Sequence, residues 1–572
     1  MLCKIVNRIT EGGKRHRVRM TKMKEVEFTN PSYDEWKEAS IKALKGKPFE
    51  SLFTKTIEGI TQEPLYTAES LLAKVDGKLE EQVSTIRAMQ TEGVFSVAQE
   101  AFGDTIEKFI AQVEDSFERG NQYVTVGKVN FEWNEAALKQ LAALFEKHPF
   151  CINVVDSAVL NVFNYIENKE VTGFIRSQEK FNISDFPNVR KLNAYISDAH
   201  YEGANAVQEL AIALAKASEL AGDISFEEFE RQFFVSFSVD TKFFMEIAKL
   251  RAFRVLWKAF ALGYGVEKPQ PVKILAETSL RSFSKLDVYV NLLRAGNEAF
   301  SAVLGGADVV TVHPHDVLTK PTNQSIRIAR NVSLVIKEES HVTKVLDPAG
   351  GSYYIESLTH DLVKEAWAKF VEIEEAGGYS AYVASGNLQK ELEEMMAKRI
   401  QDVERRKTVL VGTNDFANAQ EEVPTESFYE VNRIAKPFED LRQEFKKSPI
   451  DVSILTYGTF KKIKPRTDFV KGVFATAGIT AEVTEPFTDI EKAKEWLANT
   501  SADYVVLSAI DEDTKEVIPA ILAAKPGHVI LDAAGKFDEA WESQGLNGFV
   551  YAGQNIIEKL QGIQDTLKEV QR

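Results

Sequence analysis

Between residues 233 and 343, short β-branched runs open at Phe233, Val272, Val309 and Thr343, at spacings of 39, 37 and 34 residues, and each interval holds one amphipathic helical pattern. A strand joins a parallel neighbour only through a crossover of a dozen or more residues, usually a helix. This rhythm predicts βα units, and a long series of them on one chain favours a closed parallel barrel over an open sheet. Upstream, residues 123–131 (YVTVGKVNF) and 151–159 (CINVVDSAV) read as earlier strands, and residues 68–119 as mostly helical. Residues 192–215 read as strand, short turn and helix. His200 is thereby placed where a strand gives way to a loop, the face on which a βα barrel carries its chemistry.

At 572 residues the chain is too long for one core, so two or three domains are expected. Residues 1–31 read as a flexible basic extension, residues 32–67 as a helix and an arm laid across another surface, residues 68–400 as the barrel, and residues 401–447 as an irregular acidic linker. In residues 448–572, five short strands (452–456, 479–483, 504–507, 528–531 and 548–551) alternate with helices, which is the doubly wound, flavodoxin-like pattern. The expected fold class is α/β, a (β/α)8 TIM barrel followed by a flavodoxin-like domain. The formal charge of -16 argues against a nucleic-acid partner, because phosphate contacts need a surplus of Lys and Arg. No apolar run approaches the roughly 18 to 20 residues needed to cross a bilayer. The two cysteines, Cys3 and Cys151, cannot build a disulfide framework or a thiolate metal cage, which suits a reducing cytoplasm.

Set in this architecture, the blocks FMEIAKLRA (244–252), IARN (328–331) and DPAGGSYYIESLTHDL (347–362) resemble the methylmalonyl-CoA mutases, adenosylcobalamin-dependent isomerases. The resemblance covers almost the whole chain from Ser32. It implies a barrel that holds an acyl-CoA, a C-terminal domain that holds cobalamin, and the corrinoid between them. In the catalytic members that domain carries D-x-H-x-x-G after its first strand, the histidine coordinating cobalt and the aspartate setting its tautomer. Here residues 454–479 contain no histidine, and the motif's place reads KKIKPR, so that Lys461, Lys462, Ile463 and Arg466 bring bulk and positive charge where the cofactor's nucleotide tail would lie. His528, the domain's only histidine, precedes the fourth strand rather than following the first. Ser508 remains from the family's Ser-containing strand, but the Gly-Gly turn has become DAAG, ending in Ala534 and Gly535. Each added methyl restricts the dihedrals and the close approach that glycine allows.

The barrel departs from the pattern as well. His200, in SDAHYEGA, matches the position at which catalytic members place a histidine against the thioester carbonyl. Their Arg- and Tyr-rich substrate stretch has no counterpart, since residues 68–122 contain no tyrosine and only Arg87 and Arg119. Glu277 and Ser279 stand where a histidine and a glutamine would contact substrate, and Glu277 is expected to repel an anionic CoA thioester. With these departures the resemblance implies no catalytic, cofactor or metal site on this chain, and His200 as a vestige kept for packing. It further implies a non-catalytic small subunit that docks in a heterodimer on the methylmalonyl-CoA mutase large (catalytic) subunit, where adenosylcobalamin and the chemistry reside. Two alternatives stand beside it: a self-sufficient cobalamin-dependent isomerase using His200, and a scaffold for cobalamin proteins. HPHD (313–316) has a metal-ligand look, but on a strand its two histidines point to opposite faces. Gly350 and Gly351 lack a phosphate-loop frame and read as a tight turn after a barrel strand.

Overall fold

The computed structural model describes residues 31–90, 93–177, 181, 183–222, 224–537 and 539–570. Residues 1–30 of the expected extension lie outside them. The chain divides into two compact units, residues 1–66 and residues 67–572. In the first, helix Tyr33–Ala43 starts at a capping box: Ser32 Oγ accepts from the Glu35 amide at 3.2 Å and Glu35 Oε2 accepts from the Ser32 amide at 2.7 Å. The arm expected at the end of this unit is not simply extended. Thr54–Lys55 pairs antiparallel with Thr61–Gln62 around a turn at Gly59, whose φ of 83° suits glycine, so the backbone finds its partners locally.

The second unit opens with helices Ala68–Lys74 and Leu79–Ala88, after which come eight parallel strand runs. They are β1, in two pieces, Ser96–Val97 and Glu100–Ala101; β2, Val124–Val126; β3, Phe150–Asn153; β4, Gly173–Arg176; β5, also in two pieces, Val189–Arg190 and Leu192–Tyr195; β6, Phe233–Val239; β7, Lys273–Thr278; and β8, Val309–Thr311. Two five-stranded sheets share the split runs: the first pieces of β1 and β5 do not pair with the same neighbours as the second. Following the hydrogen bonds from β1 through β8 returns to β1, where Val309 and Val310 face Ser96 and Val97. The alternation of two residues per repeat layers the inside of this ring. Ala98, Cys151, Phe174, Phe234, Leu275 and Val309 form one buried apolar layer, with the Phe174 and Phe234 rings edge to face at 5.1 Å. Two residues further along the same runs stand Glu100, Asn153, Arg176, Ser236, Glu277 and Thr311, a polar layer above the apolar one.

Helices follow the strands: α1, Ile106–Glu118; α2, Ser197–Tyr201; α3, Ala206–Ala221; α4, Phe243–Gly263; α5, Val290–Leu304; α6, Asn323–Glu338; and α7, Tyr353–Glu375. Residues 68–119 are mostly helical, as expected, with the two short pieces of β1 lying between the helices. Two sequence expectations are corrected. The strand expected over 151–159 ends at Asn153 and gives way to a 3-10 turn, Ser157–Asn164, capped by Asp156. The run at Thr343 is a single 3-10 turn, Val342–Lys344, entered through a left-handed His341 (φ 60°), so Gly350 and Gly351 do not follow a strand.

The C-terminal sheet comprises β9, Val452–Thr456; β10, Glu482–Val483; β11, Tyr504–Ser508; β12, Ile530–Ala534; and β13, Gly548–Val550, all parallel, in the spatial order β10-β9-β11-β12-β13. Helix α8, Phe460–Thr476, follows β9. The stretch expected to be an irregular linker is helical at its end, Lys436–Lys447, where Phe438, Leu441 and Phe445 join the core beneath this sheet. Among the described residues no helix is long and apolar enough to cross a membrane.

Candidate functional site

Charges inside α4 explain why two of the sequence blocks belong together. Arg251 grips Asp347 through Nε and Nη2 at 2.7 and 2.9 Å and reaches Glu356 Oε1 at 2.6 Å and Thr359 Oγ1 at 2.9 Å, all of them buried. The FMEIAKLRA block is thereby bolted to the DPAGGSYYIESLTH block. Gly350 sits against this bolt: a Cβ there would lie 2.5 Å from Asp347 Oδ2, which accounts for glycine without any phosphate. Arg254 donates to the carbonyls of Met89 at 2.7 Å, Val272 at 2.5 Å and Gly306 at 2.6 Å and to Asp308 at 2.9 Å, tying together the segments that lead into β1, β7 and β8.

His200 lies in α2, a short helix rather than the expected loop, and is wholly buried. Its Nδ1 is 2.7 Å from Glu209 Oε1 and its Nε2 is 2.7 Å from Ser279 Oγ. Burial, then the neighbouring Arg281 guanidinium, push the imidazole down to about 4. Burial alone would raise the Glu209 carboxyl, but Lys249 at 2.6 Å, His200 and Arg281 hold it well below its usual range. An ionised Glu209 makes Nδ1 the donor. The neutral ring then accepts at Nε2 from the Ser279 hydroxyl, and both nitrogens are engaged by the protein itself. Arg281, bound to Asp240 and to the His200 and Ala204 carbonyls, fixes the backbone around it.

Glu277 corrects a second expectation. Its Oε2 accepts from Arg176 Nη1 at 2.6 Å and its Oε1 from Ser197 at 2.9 Å and Ser238 at 3.2 Å, so its charge is matched inside the ring rather than turned on a ligand. Burial would raise this carboxyl, but Arg176 brings it below its ordinary value. Beside it, Glu100 Oε1 accepts from the Tyr429 hydroxyl at 2.6 Å. Tyr429 arrives from a strap that crosses the C-terminal ends of the ring strands. The Phe428 amide donates to the Leu318 carbonyl at 2.9 Å, Lys128 Nζ to the Phe428 carbonyl at 2.5 Å, and the Ile434 amide to the Arg281 carbonyl at 3.0 Å.

HPHD does not lie on a strand, since β8 ends at Thr311. His313 Nδ1 donates to the Thr278 carbonyl at 2.7 Å, while His315 lies tilted against the Tyr289 ring at 5.2 Å, so the two rings serve different partners. Among the described residues no group of three or more His, Cys, Asp or Glu side chains could hold a metal ion.

In a doubly wound sheet ligands enter the crevice beyond the C-terminal strand ends. Here that crevice, about 670 Å³, is lined by Lys462, Arg466, Gly535 and Tyr551 among others. Arg466, from α8, spans it, donating to the Ala509 carbonyl at 2.5 Å and to Asp511 at 2.6 Å. Lys461 is exposed and Ile463 is buried beneath the helix. Ser508 is wholly buried and its hydroxyl pairs with Thr467 Oγ1 at 2.9 Å. Ala534 ends β12, and Gly535 follows at φ 120°, where a Cβ would meet the Phe537 ring at 2.8 Å. His528 is exposed at the opposite end of the sheet, 3.3 Å from the Thr500 carbonyl. The donor set does not fit a corrinoid held through an imidazole.

Sequence reasoning located His200, Glu277 and Arg466 but missed Arg176, Glu209, Lys249 and Tyr429, which decide what they do. The usable signal was charge in an apolar helix, as in the Glu246, Lys249, Arg251 and Arg254 series of α4.

With this geometry in hand, comparison with known proteins gives one answer. The family description "Methylmalonyl-CoA mutase" matches residues 161–448. The chain belongs to the methylmalonyl-CoA mutase family. Within it, the methylmalonyl-CoA mutase small subunit of Porphyromonas gingivalis is matched almost end to end, at 29% identity over 94% of this chain and 98% of that protein. The methylmalonyl-CoA mutase of Cereibacter sphaeroides is 32% identical over 68% of this chain and 65% of its own length. The probable methylmalonyl-CoA mutase small subunit of Mycobacterium tuberculosis is 32% identical over 64% and 62%.

Proposed function

We propose that this chain is the non-catalytic small subunit of a heterodimeric, adenosylcobalamin-dependent methylmalonyl-CoA mutase, with a structural and assembly role. On this reading the ring of residues 68–400 is a TIM barrel, residues 401–447 are its linker, and residues 448–572 are a flavodoxin-like domain that has lost its cofactor site. The isomerisation of methylmalonyl-CoA and succinyl-CoA takes place on the large subunit, and this chain binds no cofactor.

The observation that carries the reading is the filled interior of the ring. Where the family resemblance puts an acyl-CoA, this chain has Phe174, Phe234 and Leu275 packed across one layer and the Arg176–Glu277 pair above it. His200 would have to leave either Ser279 or Glu209 before it could reach a thioester. Arg466 across the crevice supports the same reading for the C-terminal domain.

Incubated with adenosylcobalamin and passed through gel filtration, the purified chain is expected to elute as a colourless peak; stoichiometric co-elution of corrinoid would refute the proposal. Co-expressed with a catalytic subunit, it is expected to purify as a one-to-one complex. In that complex His200→Ala is expected to change turnover by less than about threefold. A loss of a hundredfold, about 2.7 kcal/mol of transition-state stabilisation, would place His200 in the reaction.

A further inference from the structure

A cation removed from water requires a countercharge, and the buried guanidinium of Arg330 has only a distant, shared one. Arg330 of α6 has a side chain only 2% exposed, donates to Ser116 Oγ at 3.1 Å, and leaves Nε without a partner among the described residues. Its nearest carboxylate oxygen, on Asp115, is 3.9 Å away, and Asp115 is already engaged by Arg119 at 2.7 Å. Burial, offset in part by Asp115 and reinforced by Arg119 and Arg327, holds Arg330 below its ordinary value.

Arg330 stands in the wall of a cleft of about 1210 Å³ between α1 and α6 that opens beside Phe428 of the strap. Two of the cleft's cations are matched locally, Lys108 with Asp104 at 3.6 Å and Arg119 with Asp115. That leaves Lys128, Lys320, Arg327 and Arg330 against the single carboxylate of Glu426. Among the described residues the side chains of Lys320 and Arg327 enter no hydrogen bond or ion pair. This surplus of positive charge is local to a chain whose formal charge is -16. A cleft with a buried guanidinium at its wall and exposed cations at its rim suits a compact ligand of several negative charges. The start of α6 at Asn323, on the same rim, adds its dipole with the same sign.

We propose that the cleft between α1 and α6 binds a polyphosphate group, free or carried on a nucleotide, which adds the close countercharge that Arg330 does not get from Asp115, 3.9 Å away and shared with Arg119. The site is separate from the ring interior and from the crevice of the C-terminal sheet, and it does not depend on the subunit reading above.

Calorimetric titration of the full chain with inorganic pyrophosphate, ATP and adenosine at low ionic strength tests it. Pyrophosphate and ATP are expected to bind saturably at one site and to compete, while adenosine gives no heat. If ATP binds more tightly than pyrophosphate, the group is one carried on a nucleotide; equal affinities mark a site for the free anion. Arg327→Glu, an exposed change, is expected to weaken pyrophosphate binding at least tenfold with the unfolding midpoint unchanged. Lys320→Glu should act in the same direction, and Arg330→Met provides the buried counterpart. No saturable binding of pyrophosphate at millimolar concentration, binding of adenosine alone, or affinity unaltered in both charge reversals would overturn the proposal.

Discussion

Arg251→Met should lower the stability of the second unit by about 3 to 5 kcal/mol, the cost of breaking a buried ion pair from one side. The side chain is fully buried and bound to Asp347, Glu356 and Thr359, so its removal strands two carboxylates away from water. Methionine fills much of the volume, which separates the loss of charge from the loss of packing. Urea unfolding followed by circular dichroism should show the midpoint falling, and the triple change Arg251→Met, Asp347→Asn, Glu356→Gln should recover a large part of the loss, because no charge is then left unmatched. A midpoint within error of the parent would mean that the bolt between the two blocks carries no weight.

The second large effect is on the acid side. In the unfolded chain His200 titrates near 6.5, whereas in the fold it is held down to about 4. Between those values the unfolded chain takes up a proton that the folded one refuses. The contribution is complete above pH 6.5 and is lost as the pH falls toward 4. The gap corresponds to about 3 kcal/mol at roughly 1.4 kcal/mol for each tenfold in proton affinity. The stability difference between the parent and His200→Ala, followed from pH 7 to pH 4, should shrink by that amount. A difference that stays constant across the window would show that His200 has the same proton affinity in the fold as in the unfolded chain.

The parts of this structure that could be read in advance are those whose information is local. Residues 233–239 and 504–508 are strands rich in β-branched and aromatic residues and buried on both faces, and their runs announce them. β1 does not announce itself, since Gln99 and Glu100 interrupt it and its pairing depends on β8, more than 200 residues away. The opposite error, a strand at Thr343, arose because Val342 and Thr343 have the right branching but sit in a turn set by His341. The same division holds at the site. The position of Glu277 was legible, yet its meaning reverses once Arg176 is placed beside it, and nothing near Glu277 in the chain foretells that contact. Tyr429 was least accessible of all, because a stretch without periodicity turned out to deliver a hydroxyl to Glu100.

The strap from Glu426 to Ile434 also has a mechanical consequence. It is fastened to Lys285, Leu318, Lys128, Glu100 and Arg281 in succession, and the helix that follows it, Lys436–Lys447, is embedded beneath the C-terminal sheet. A force applied to that sheet reaches the rim through five separate anchor points, not through a slack tether. Hinged swinging of that sheet against the ring would shear all of them at once, so the strap opposes such a motion at every anchor together.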